Sequence, residues 1–289
     1  MITISNEILN VSIATMGAEL QSIYNKQTGL EYMWDANPEF WPKKSPVLFP
    51  IVGGLKDGSY NHEGETYYFN RHGFARELEF EVEQHSETSA TFILQTTEAT
   101  LKQYPFQFKF SVTYSLNNNE LKVTYLIENK GTETLPFSVG AHPAFKVPLI
   151  ETEDFTDYYL AFNQLESAGI YPILENGLIS NTEQPFFSNT KALPLTKKLF
   201  YKDALIFKEF KSTSISILST KSSNGLTVSY EGFPYMGVWS AKDADFVCIE
   251  PWCGLGDVET TTGLLSEKEG INKLESFGSF TRSWTVTTF

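Results

Sequence analysis

The sequence predicts an all-β protein, a large antiparallel β-sandwich. Three observations carry the prediction. Apolar and polar residues alternate at period two along much of the chain, the mark of strands with one buried face. Phe (23) and Tyr (14) are abundant, and both favour strands. Gly, Pro and Asn are spread evenly, without a linker, charge block or clear internal repeat. The 289 residues are therefore read as one domain spanning 1–289. An apolar fraction of 41%, with 15% aromatic, allows a large core.

The alternation starts at Ile2 and Ile4 and continues through Leu9, Val11 and Ile13. Phe80 and Val82 alternate with Glu79, Glu81 and Glu83. Phe106, Phe108, Phe110, Val112 and Tyr114 predict a long strand, with Gln107, Lys109, Ser111 and Thr113 on its other face. After Asn117-Asn118-Asn119 the pattern returns at Leu121, Val123, Tyr125 and Ile127, which predicts a hairpin. Ile215 and Ile217 are matched, across Ser223-Asn224-Gly225, by Leu226, Val228 and Tyr230. Trp284 and Val286 close the series. Helical signals are weak: a turn or two is expected within Pro38 to Lys43, Thr97 to Tyr104 and Glu267 to Lys273. Tyr158 to Thr190 is less regular and is expected to wander over the surface or a cleft rim.

A net charge of −13 argues against nucleic acid or an anionic membrane as partner. No stretch approaches the roughly 20 apolar residues that span a bilayer, and the N-terminus lacks the pattern of a signal peptide. Two cysteines, Cys248 and Cys253, are too few for a disulfide framework, so reduced thiols in a cytoplasmic protein are expected. No zinc-type histidine spacing, nucleophile elbow or phosphate loop occurs, and Gly53 to Gly58 is better read as a turn.

The stretch Asn70-Arg71-His72-Gly73-Phe74-Ala75-Arg76 stands out, with a His between two Arg residues and followed by Gly and an aromatic. Two later stretches share its character: Gly140 to Phe145, which holds His142, and Cys248 to Gly254, which holds Glu250. All three are expected to meet at one cleft. Of four histidines, His62 and His85 lie in turn-like sequence and are expected to be solvated. His72 and His142 lie at junctions between regular segments, where binding residues concentrate. A functional role and a hydrogen-bonded structural one are both open for them on the residues alone. Glu250 ends the apolar run Phe246-Val247-Cys248-Ile249. A carboxylate there is costly to desolvate unless it is paired or used, and it suits a general base. Trp252 fits either stacking on a sugar face or core packing. Asp203 precedes another apolar run and by itself is an ordinary strand-start residue.

Taken together these motifs resemble the aldose 1-epimerase (galactose mutarotase-like) family, and its LacX-like branch in particular. The resemblance runs from Gly17-Ala18-Glu19-Leu20 and Leu48-Phe49-Pro50-Ile51-Val52-Gly53 through His72-Gly73-Phe74-Ala75-Arg76 and Leu135 to Phe145. It ends at Asp203-Ala204-Leu205-Ile206-Phe207 and Glu250-Pro251-Trp252. It implies a β-supersandwich with an open cleft, in which Glu250 is the catalytic base and His142 the catalytic acid. It also implies that His72, Arg76 and Asp203 bind substrate. The implied substrate is a small sugar, an aldohexose, and the implied reaction is anomer exchange by ring opening and reclosure. No metal and no cofactor is expected, since no hydride or carbanion is involved. A monomer or homodimer is expected. For His142 to donate a proton it must be charged, and Asp203 is expected to favour that form. One departure is visible: where relatives usually carry an Arg, this chain has Gly54, so Arg76, Arg71 or Lys56 would have to substitute. The alternative function is a non-catalytic sugar-binding or sensing protein on the same fold.

Overall fold

A computed structural model describes residues 1–289. The alternating segments form strands, and every pairing between strands is antiparallel. The largest sheet has nine strands. In spatial order they are Thr190–Pro194, Tyr158–Glu166, Ser214–Ser219, Gly225–Ser229, Ser279–Thr288, Glu120–Asn129, Phe108–Asn117, Ser89–Gln95 and Glu81–His85. The predicted hairpin lies at its centre, with Val123 opposite Tyr114 and Tyr125 opposite Val112. Leu121, Val123, Tyr125 and Ile127 are buried on one face, as the alternation requires.

A second sheet runs Val139–Gly140, Phe246–Cys253, Tyr235–Trp239 and Leu205–Phe207, and Ala144–Lys146 also pairs with Phe246–Cys253. A third, N-terminal sheet comprises Ile2–Ser5, Leu9–Ile13, Leu20–Asn25 and Leu30–Glu31. The inner faces of all three feed one apolar core of 61 buried residues, from Ile4 to Val286. Aromatic side chains are prominent in it, and the polar ends of several find partners, though the Tyr230 hydroxyl is buried without one. Trp284 Nε1 donates to Tyr125 Oη (3.0 Å), Tyr104 Oη to the Pro136 carbonyl (2.7 Å) and Tyr114 Oη to the Ala18 carbonyl (2.6 Å).

The helical expectations hold only in part. Glu98–Leu101 forms one α-helical turn, capped by the Thr97 hydroxyl, which accepts from the Thr100 N–H. Pro38 to Lys43 yields no helix, only a turn in which Phe40 and Trp41 donate to the Asn37 carbonyl. Near Glu267 a single 3₁₀ turn, Leu265–Glu267, gives way at Gly270, whose φ is +73°, to a strand Asn272–Leu274 paired with Leu135–Phe137. The segment after Tyr158 is more regular than expected. Tyr158–Glu166 is a nine-residue strand with Tyr158, Leu160 and Phe162 buried. Residues 171–183 form an irregular run, and Ile173, Leu174, Glu175, Gly177 and Ile179 within it line the cleft. No helix is long and apolar enough to cross a membrane.

Candidate active site

The strand Phe246–Cys253 is buried along its whole length. Val247, Ile249 and Cys253 face the main core. The alternate residues Phe246, Cys248, Glu250 and Trp252 face the other way. There Phe246 and Cys248 join a small apolar cluster with Trp34, Ala144 and Ala244, and Trp252 joins another with Leu48, Val52, Ile179 and Ile206. Glu250 sits between the two clusters, 1% exposed, at the floor of a cleft of about 800 Å³.

Strand pairing places a histidine across from it. Gly140 pairs with Trp252 and Ala144 with Cys248, so the register is the same on both sides of Ala141-His142-Pro143. His142 therefore falls directly opposite Glu250, on the same face, as cross-strand neighbours do. His142 Nε2 lies 3.2 Å from Glu250 Oε2. The angles of this contact fall outside a hydrogen bond, and Glu250 Oε2 and His142 Nδ1 are both buried without a hydrogen-bond partner. Aromatic rings hold the imidazole in place: Trp41 stacks on it with centroids 5.0 Å apart, and Trp239 and His72 meet it edge-on at 5.6 Å.

His72 adopts a left-handed backbone (φ +71°), followed by Gly73 at φ +72°. A Cβ at position 73 would lie 2.4 Å from the Phe49 carbonyl oxygen, so only Gly lets the turn close there. The turn locks onto Gly53: the His72 N–H donates to the Gly53 carbonyl (2.8 Å), and the Gly53 N–H donates to His72 Nδ1 (3.1 Å). The neutral ring therefore carries its proton on Nε2, where it can donate into the cleft. Asp203 also has a positive φ (+90°), and its carboxylate accepts from the Ala204 N–H at 2.7 Å. Two such conformations on non-glycine residues at one cleft mark strain held by the surrounding fold. The floor loop is braced from behind. Asp257 donates its N–H to the Gly54 carbonyl, accepts from the Lys56 N–H, and pairs with buried Lys268 at 2.6 Å.

Charge in the cleft is set by burial first. Desolvation, and then the Asp203 charge, raise the Glu250 carboxyl well above its ordinary value, against the pull of Arg71 and Trp252. Burial, with the Arg76 and Arg71 charges behind it, pushes His142 down to about 3. The same forces, with His142 added, lower His72 well below its ordinary value. Burial in the cleft thus works against the charged forms of all three groups. Asp203 acts on Glu250 rather than charging His142, which corrects the sequence expectation. The reason is placement: the two arginines dominate the field at His142.

His72, Arg76, His142, Asp203 and Glu250 all line this cleft. His62 and His85 do not: the His62 ring packs 4.6 Å from Phe106, and His85 Nε2 lies 3.1 Å from the Thr3 carbonyl. Trp252 borders the cleft but is 5% exposed, and its indole is wedged between glycines. A Cβ on Gly140 or Gly237 would come within 2.6 Å of it. Packing, not sugar stacking, explains that residue. Trp41 and Trp239 escaped sequence reasoning, although an isolated Trp-Pro pair in the polar stretch 35–44 was a usable signal. Both cysteines are free and buried. His142, Cys248 and Glu250 bring nitrogen, sulfur and oxygen donors within 4.8 Å of one another, the donor types that zinc takes. Burial and then Glu250 raise the Cys248 thiol, which opposes the thiolate a metal needs.

Residues 1–261 match the profile of the aldose 1-epimerase family. The chain is 36% identical over 297 residues to the chromosomal protein LacX of Lactococcus lactis subsp. lactis, covering 99% of this chain and 98% of that one. Among solved structures it superposes on a galactose mutarotase related enzyme from Lactobacillus acidophilus with a TM-score of 0.95. The identity is 37%, over 100% of this chain and 97% of that one. A galactose mutarotase-like protein from Lactobacillus casei gives 0.93 at 31% identity, with 100% of both chains covered.

Proposed function

Because the chain belongs to the aldose 1-epimerase family, we propose that it is a mutarotase that interconverts the α and β anomers of an aldohexose, with residues 1–289 acting as one domain. Glu250 takes the proton of the C1 hydroxyl while His142 gives a proton to the ring oxygen. The bond from C1 to the ring oxygen breaks, and its electron pair stays on that oxygen. Rotation about C1–C2 in the open aldehyde and reclosure on the other face give the second anomer, and the two protons return. His72 and Arg76 hold sugar oxygens as donors, and Asp203 accepts from a hydroxyl. The chemistry moves protons only: the cycle starts with the pair's one proton on His142 and Glu250 ionised, and reclosure returns both groups to that state.

The observation that carries this proposal is the buried Glu250–His142 pair, register-matched across two strands and 3.2 Å apart. Glu250 Oε2 and His142 Nδ1 make no hydrogen bond at the floor of the cleft. A positioned acid or base contributes roughly 10²–10⁴-fold. Polarimetry on freshly dissolved α-glucose and α-galactose is the test. The wild-type protein speeds the drift to equilibrium, and Glu250→Gln or His142→Asn loses about that factor. A variant with wild-type rates removes its residue from the mechanism.

The low proton affinity of buried His142 favours one rival, a sugar-binding protein without turnover. Calorimetry separates the two: sugar binding with an unchanged rate of anomer exchange would establish the rival.

A further inference from the structure

The chain carries a net charge of −13, yet four cationic side chains line its cleft: Arg71, Arg76, Lys202 and Lys242. Elsewhere, half-buried Lys208 is paired with Glu269 and buried Lys268 with Asp257, whereas unpaired lysines such as Lys102 and Lys273 are exposed to solvent. Arg71, Lys202 and Lys242 are absent from every side-chain hydrogen bond and every ion pair of the chain. Arg76 reaches only the exposed Glu77, at 3.6 Å, and its Nε is buried without a hydrogen-bond partner. Two guanidinium groups thus face one cavity, Arg71 without a partner and Arg76 held only by an exposed carboxylate.

The position of Arg71 is specific. A Cβ built on Gly54 would lie 4.0 Å from Arg71 Nε, and one built on Gly177 would lie 3.9 Å from its Nη2. The guanidinium therefore runs between two residues that lack side chains. It lies within van der Waals reach of a side chain's first atom at position 54, although it springs from a different loop. The turn that carries it is the one locked by His72 to Gly53.

We propose that Arg71 and Arg76 form an anion clamp, and that the substrate is an aldose bearing a negatively charged substituent, either a phosphate monoester or a carboxylate. This rests on the cleft being the sugar site proposed above. Guanidinium forks match both oxyanions in two-point hydrogen bonds. The carboxylates in the cleft are engaged or remote: Glu250 is on the floor, Asp203 is tied to its own backbone, and Glu175 lies on the exposed rim. Charge balance at the catalytic pair points the same way. Both arginines disfavour a charged His142, and an anion bound to them offsets that field just when the acid needs its proton.

The test compares glucose and galactose with glucose 6-phosphate, galactose 6-phosphate and glucuronate, by calorimetry and by anomer-exchange NMR, on wild type, Arg71→Met and Arg71→Lys. A charge-assisted hydrogen bond is worth roughly ten- to hundredfold in affinity. Wild type is expected to bind a charged aldose at least tenfold more tightly than its neutral parent. Arg71→Met collapses that ratio, Arg71→Lys keeps part of it, and added salt weakens it. The stronger of the phosphate and carboxylate arms identifies the anion. Equal affinity for charged and neutral sugars, or a ratio untouched in Arg71→Met, overturns the proposal. Rapid exchange of neutral sugars alone would overturn the clamp and leave the mutarotase standing. Tight Arg71-dependent binding of a charged sugar without exchange would do the reverse.

Discussion

Replacing Glu250 with Gln removes the proton that burial holds on this side chain, and that proton is measurable as a pH dependence of stability. Gln matches Glu in size, so packing between the Cys248 and Trp252 clusters is kept. Burial, and then Asp203, raise the Glu250 carboxyl well above its ordinary value. A group raised in the fold binds its proton more tightly there than in the unfolded chain. Its contribution is fully present below the unfolded value, roughly 4.3 for Glu, and is lost as the pH rises through the folded value. The loss is about 1.4 kcal/mol per pH unit for as long as folded Glu250 keeps its proton. Gln contributes no such slope. The assay is urea unfolding of both proteins at a series of pH values above roughly 5, where other groups titrate alike and cancel in the difference. The stability of wild type minus that of Glu250→Gln is expected to fall steadily with rising pH. His142, pushed down to about 3, gives the opposite sign. Wild type minus His142→Asn rises with pH up to roughly 6.5 and is flat above it. A flat Glu250 difference would refute the claim that burial holds a proton on that carboxyl.

Two further outcomes concern the scaffold. Lys268→Met leaves the 3%-exposed Asp257 carboxylate without its counter-charge; a loss of about 3–5 kcal/mol in urea unfolding is expected, and Asp257→Asn in the same chain restores part of it. Gly237→Ala drives a methyl group to within 2.6 Å of the Trp252 indole. It is expected to cost about 1–3 kcal/mol and, by displacing Trp252 beside Glu250, to slow anomer exchange more than substrate binding.

Much of the fold was legible because one face of each central strand is buried. The strands Phe108–Asn117 and Glu120–Asn129 keep period two over nearly their whole length, with Leu126 the one apolar residue on the polar face, and the turn at Asn118, with φ +52°, is where the Asn cluster predicts it. Tyr158–Glu166 was harder to see, because Tyr159 and Ala161 are apolar too and blur the alternation of Tyr158, Leu160 and Phe162. Trp41 lay in a segment that mimics a helical turn, since Asn37 accepts from both Phe40 and Trp41 without a helix following. Glu250 was legible as an ionisable group closing an apolar run. Its position opposite His142 was not, because register across strands more than a hundred residues apart is fixed by pairing and leaves no local trace. The charge state of His142 was hidden for the same reason: it depends on Arg71 and Arg76, which tertiary structure alone brings near.

The most direct measurement is two-dimensional exchange NMR on fully equilibrated glucose and galactose, and on their 6-phosphates, with the protein added in increasing amounts. Cross peaks between the α and β anomeric protons are expected to grow in proportion to the protein for at least one of these sugars. They are expected to fall to the uncatalysed level with Glu250→Gln. Exchange that persists in Glu250→Gln, or a sugar that binds wild type while its anomers fail to exchange, would contradict the assignment of the Glu250–His142 pair as the catalyst.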